Sequence, residues 1–207
     1  MVRAKKPIDY INELCHSKSE KQRMLGKTLH AQYEGWTKTL SLKDFLKFNE
    51  TIRANKSEIG VAQFFGKFRA YAFEEYIYRL LKEKVTINKP FDIFWGEKCL
   101  VWQSGEKIYA MEFDISIGQK IGGFIDPLVV FDAKVELDSA RLKTAVASFA
   151  MVKCWKPAIR CVLIYVTREL DGCLLELAKN WVDGVFHFSW DADETAAFLS
   201  YVAKCIR

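Results

Sequence analysis

The fold is decided by two stretches, Glu112-Phe113-Asp114-Ile115-Ser116-Ile117-Gly118 and Asp126-Pro127-Leu128-Val129-Val130-Phe131-Asp132-Ala133-Lys134. Each reads as a β-strand, and Gly122-Gly123 lies in the loop between them. Residues two apart in a strand share a face. Asp132 and Lys134 therefore point one way, while Phe131, Ala133 and Val135 point the other. In the first strand Glu112, Asp114 and Ser116 share a face, opposite Phe113, Ile115 and Ile117. Positions 114 and 132 are equidistant from Gly123, so a hairpin folded there sets Asp114 opposite Asp132.

Two carboxylates and an ammonium then meet on one patch of sheet. Side-by-side carboxylates repel unless a cation lies between them, and a divalent metal prefers oxygen ligands. Asp132 and Lys134 also continue an apolar run, Leu128-Val129-Val130-Phe131. Burying even a neutral polar group without a partner costs on the order of 2–7 kcal/mol, and a buried Asp–Lys pair rarely adds net stability. The bland alternatives are a strand-end aspartate bonded to a turn and a structural Asp–Lys pair. The trio together favours a chemical role.

This pattern resembles the PD-(D/E)XK nuclease superfamily, best known from type II restriction endonucleases. The resemblance rests on Asp114, 17 intervening residues, then Asp132-Ala133-Lys134. A helical stretch from about 139 to 153 and an apolar strand from about 159 to 167 follow. The family core of a helix, three strands, a helix and a fourth strand is similar to residues 58–167. Asp132 stands where glutamate is commoner in the family. The resemblance implies an α/β restriction-endonuclease-like core, a central mixed sheet flanked by helices, with a helical N-terminal region. It implies Mg²⁺, with Mn²⁺ as the substitute, held by Asp114, Asp132 and the Ala133 carbonyl. Lys134 would orient or deprotonate the attacking water. Many members carry a glutamate on the helix before the sheet. Glu74, at the edge of that helix's core face, is preferred for this role, with Glu75 the alternative. The implied partner is double-stranded DNA, cut by a homodimer. A structure-specific repair or recombination nuclease and an inactive DNA-binding subunit are the alternatives.

The 207 residues suit one domain with a helical appendage, expected as residues 1–56, basic and DNA-contacting or dimerising, ahead of a catalytic core at 57–207. Residues 1–56 hold 12 Lys+Arg against 6 Asp+Glu, whereas the remainder holds 19 against 20. A basic region beside an acidic patch suits a polyanionic substrate, and a solvated helical surface is the plain alternative. Half the residues are hydrophobic, enough for a substantial core. No apolar run approaches the ~18 residues that span a bilayer. The basic Met1–Pro7 stretch lacks a following apolar segment, so no secretory signal is expected. Six scattered cysteines without a CxxC pair read as reduced, buried thiols of a cytoplasmic protein and speak against zinc. No P-loop, GxGxxG or GxSxG is present.

Helical spacing predicts helices at about 8–15, 20–33, 42–55, with Ser41 as N-cap, and 57–83, capped by Ser57 and including Val61 in its apolar face. Strands are expected at about 91–95, 98–103, 107–117, 128–135, 159–167 and 184–189, and further helices at about 139–153, 170–181 and 193–206. Glu112 is a candidate extra ligand or a partner for Lys107 or Lys134, Asp126 a turn acid, and Glu136 a strand-edge residue. Lys143, Lys153, Lys156 and Arg160 are candidates for phosphate contact or an ordinary wet helix.

Overall fold

The computed structural model describes residues 5–206. The start of the basic N-terminal stretch, with Arg3, lies outside the described residues. The first helices form where the apolar spacing puts them. α1 spans Pro7–Cys15, with proline in its first turn where no N–H partner is required. α2 spans Glu20–Thr39, running past the Tyr33 at which the periodicity ends, because Trp36 extends its buried face. α3 spans Leu42–Ala54, and the Ser41 hydroxyl caps it by accepting from the Asp44 N–H.

The single helix expected from Ser57 is two. A short α4, Lys56–Ile59, ends at Gly60, and α5 runs from Ala62 to Lys84. Gly60 adopts φ +118° and ψ −152°, a conformation essentially closed to other residues. Val61, expected in the core, is 75% exposed at the break.

Among the described residues seven strands form one mixed sheet: β1 (Asp92–Trp95), β2 (Lys98–Ser104), β3 (Lys107–Glu112), β4 (Ile115–Ile121), β5 (Phe124–Asp138), β6 (Arg160–Glu169) and β7 (Gly184–His187). The order is β1-β4-β5-β2-β3, with β6 on β5 and β7 on β6. β4 is antiparallel to β1 and β5, whereas β5, β6 and β7 run parallel. The strand expected over 107–117 breaks at Phe113-Asp114. The break lets the chain leave its hairpin with β2 and enter the sheet between β1 and β5. α6 (Ser139–Trp155) makes the β5-to-β6 crossover, α7 (Gly172–Ala178) precedes β7, and α8 (Thr195–Cys205) closes the described chain.

The sheet separates two apolar layers. One joins α1, α2, α3, α5 and α8 to Ile115, Phe131, Ala133 and Val135, and includes Phe45 stacked on Tyr76 at 4.6 Å. The other joins α6 and α7 to Val130, Cys161 and Leu163. Packing in the first layer is continuous across residue 56. All six cysteines are free thiols, but only Cys99 and Cys161 are buried, while Cys154 and Cys173 are exposed. Burial pushes both buried thiols up to about 12. Among the described residues no helix is long and apolar enough to cross a membrane.

Candidate active site at the β4–β5 hairpin

The site is built from the turn upward. Gly122 and Gly123 both have positive φ, the requirement of a tight two-residue hairpin turn, and Ile121 pairs with Phe124. The register shifts by one residue between Ile117 and Gly118. Gly118 is required at this bulge, since a Cβ there would stand 2.3 Å from the Asp126 carbonyl oxygen. Beyond the bulge Ile115 faces Phe131, which brings Asp114 to the level of Asp132. The strand expected from about 128 begins at Phe124, so Pro127 lies inside β5. There β5 changes neighbours on one edge, from β2 at Ile125 to β6 from Val129 onward, so the missing N–H falls at the handover.

Asp114 Oδ2 accepts the Ala133 backbone N–H at 2.8 Å and the Lys134 ammonium at 3.3 Å. Lys134 Nζ also lies 2.5 Å from Asp132 Oδ1. That contact is an ion pair, and among the described residues the buried Oδ1 has no further partner. Burial, aided by Asp114 and opposed by Lys134, pushes the Asp132 carboxyl up to about 6. Burial works against the Lys134 ammonium too, but the two aspartates outweigh it and hold its pKa above lysine's usual range. The three predicted residues thus meet as one cluster.

The other candidates separate. Glu74 is 3% exposed and accepts the Trp95 indole N–H at 2.9 Å. It lines a cavity of about 320 Å³ together with Ala133, Lys134 and Glu136. Glu75, 2% exposed, faces away toward α2, where Oε1 accepts from Tyr33 Oη and Arg79 Nε at 2.8 Å each. Glu112 is exposed at the end of β3, opposite Lys98. Asp126 pairs with Lys156 at 2.5 Å. Lys153 and Arg160 converge on Asp183, whose carboxyl they and the Cys161 N–H hold below its usual range against partial burial. Lys153, Lys156 and Arg160 therefore serve ion pairs of the fold. Glu136 bonds Arg69 Nη1 at 2.6 Å. Despite partial burial, Arg69 and Arg141 keep its carboxyl below the usual range.

Arg69 is a residue that the sequence reading passed over. It is 6% exposed and donates to both Asn49 Oδ1 and Glu136, tying α3, α5 and β5 together. The signal was a charge inside the apolar run Phe68-Arg69-Ala70, the same kind of signal that singled out Asp132.

The donor set fits a hard divalent cation. Among the described residues no three His, Cys, Asp or Glu side chains gather as a metal cluster. What the hairpin offers is two adjacent carboxylates, one with a buried oxygen that meets only the Lys134 ammonium among the described residues. Mg²⁺ keeps several waters and commonly takes one or two protein carboxylates with substrate phosphate. Asp114, Asp132 and the Ala133 carbonyl are the groups that would hold it.

No family description and no curated relative matches the sequence. A solved structure, the native BbvCI A2B2 tetramer, contains a chain that matches with a TM-score of 0.53 at 15% identity, over 88% of this chain and 86% of that one. At this identity the likeness is one of fold. The chain has a restriction-endonuclease-like α/β architecture, with a mixed central sheet flanked by helices.

Proposed function

We propose that this protein is a metal-dependent endodeoxyribonuclease, and within that class a sequence-specific type II restriction endonuclease acting on double-stranded DNA. The observation that carries the reading is the meeting of Asp114, Asp132 and Lys134 on a restriction-endonuclease-like sheet. A bound Mg²⁺ would lower the pKa of a water and offset charge building on the phosphate. Asp114 and Asp132 supply its carboxylate ligands, with the Ala133 N–H fixing the Asp114 carboxylate in place. Lys134 holds an ammonium over the reacting phosphate, orients the attacking water and stabilises the developing negative charge. Glu74, on α5 and anchored by Trp95, stands apart from the two aspartates and lines the cavity beside Lys134, where it would act on the reaction through its charge. The helices of residues 1–56 grip the DNA backbone through their excess of basic residues. Two copies, each carrying one site, serve the two strands.

Incubation with unmethylated linear phage DNA and Mg²⁺ tests the specificity. Discrete fragments are expected. Cleavage confined to branched or single-stranded DNA makes the protein a structure-specific nuclease instead, and binding without cleavage makes it a DNA-binding subunit.

A further inference from the structure

The cavity beside Lys134 is more than the back wall of the site. Four cationic side chains line it, Lys56, Arg69, Lys134 and Arg141, against two carboxylates, Glu74 and Glu136. Arg69 forms its buried floor. Its Nε is committed to Asn49 and its Nη1 to Glu136, which fix the guanidinium plane and leave Nη2 without a hydrogen bond among the described residues. A guanidinium held in this way is preorganised for the oxygens of a phosphate. Lys56 and Arg141 stand at the exposed rim. One wall is α5, which carries Arg69 and also the exposed Gly66, where a Cβ would meet nothing within 4 Å. The cations come from both sides of the groove, Lys56 from α4, Arg69 from α5, Lys134 from β5 and Arg141 from the first turn of α6.

We propose that this groove holds a phosphodiester of the bound DNA strand next to the one being cut, with Arg69 beneath it and Lys56 and Arg141 at its edges. The assignment rests on the nuclease reading and fixes the side of Lys134 along which the strand continues. Arg69 and Glu136 act here as positioning residues, since the ion pair between them sets the floor that the phosphate meets.

Binding of a fluorescent duplex oligonucleotide in EDTA, measured by anisotropy across a salt series, tests it. Lys56→Gln and Arg141→Gln are each expected to weaken binding several-fold and together to reduce the salt slope by about 1. Gly66→Leu fills the mouth from a helix position with open space, so it is expected to weaken binding by roughly tenfold or more with an unchanged or raised melting temperature. Wild-type binding matched by Gly66→Leu and by the Lys56→Gln/Arg141→Gln double variant overturns the groove assignment alone. A wild-type protein that binds no duplex overturns the nuclease reading and the groove with it.

Discussion

Lys134 Nζ lies 2.5 Å from Asp132 Oδ1, and the Asp132 carboxyl is nevertheless pushed up to about 6. Desolvation and the neighbouring Asp114 outweigh the lysine. One ammonium between two carboxylates does not balance the site, and the remaining deficit is what a metal would fill.

Stability of the metal-free protein should record this imbalance. The folded-state pKa of Asp132 lies above its ordinary value of 3.8. Its contribution to stability is therefore full below pH 3.8 and is lost as pH rises through about 6. Asp132→Asn mimics the protonated acid. It should stabilise the protein above pH 7 by on the order of 1–3 kcal/mol, and the gain should vanish near pH 4. Urea denaturation of both proteins across this range measures it. Equal stability at neutral pH would show that the buried carboxylate carries no strain.

Added Mg²⁺ should stabilise the wild-type protein. At about 100 times its Kd the gain is roughly 2.7 kcal/mol, or about 5–10 °C in Tm for a chain of this size. Asp114→Ala and Asp132→Ala should each abolish the shift in a thermal-unfolding series. A shift that persists in both variants would place the metal elsewhere.

Gly118→Ala should destabilise the fold by about 1–3 kcal/mol, because the added methyl would press on the Asp126 carbonyl at 2.3 Å. The relief available is a register slip in β4. That slip would carry Asp114 away from Asp132, so metal-induced stabilisation should fall as well.

Much of this hairpin was legible in the sequence. Alternation placed Asp132 and Lys134 on one face, and the glycine pair marked the turn. Symmetry about Gly123 predicted the level of Asp114 correctly, although the turn is centred between Gly122 and Gly123 and a bulge at Gly118 restores the offset. The break at Phe113-Asp114 was not legible, because both sides of it carry strand-like sequence and the exchange of partners from β2 to β5 is non-local. Gly60 escaped for a related reason: a lone glycine in a helical pattern does not announce a φ of +118°. Glu74 and Glu75 were adjacent alternatives on periodicity, and only tertiary packing separated Trp95 from Tyr33 and Arg79 as their partners.

That separation is itself testable. Glu75→Gln removes the acceptor charge that holds Arg79 and weakens the α2–α5 contact, so it should cost about 1–3 kcal/mol in stability. Glu74→Gln keeps an acceptor for Trp95 and should leave the fold intact. Its effect should fall on cleavage, lowered on the order of 10–100-fold. The reverse pattern in parallel denaturation and activity series would make Glu75 the functional acid.

The most direct test is a plasmid-cleavage assay with the wild-type protein and Asp132→Ala in parallel, each with Mg²⁺ and with EDTA. The account predicts cleavage by the wild-type protein with Mg²⁺ and by none of the other combinations. Equal cleavage by Asp132→Ala, or none by the Mg²⁺-supplied wild-type protein, would contradict it.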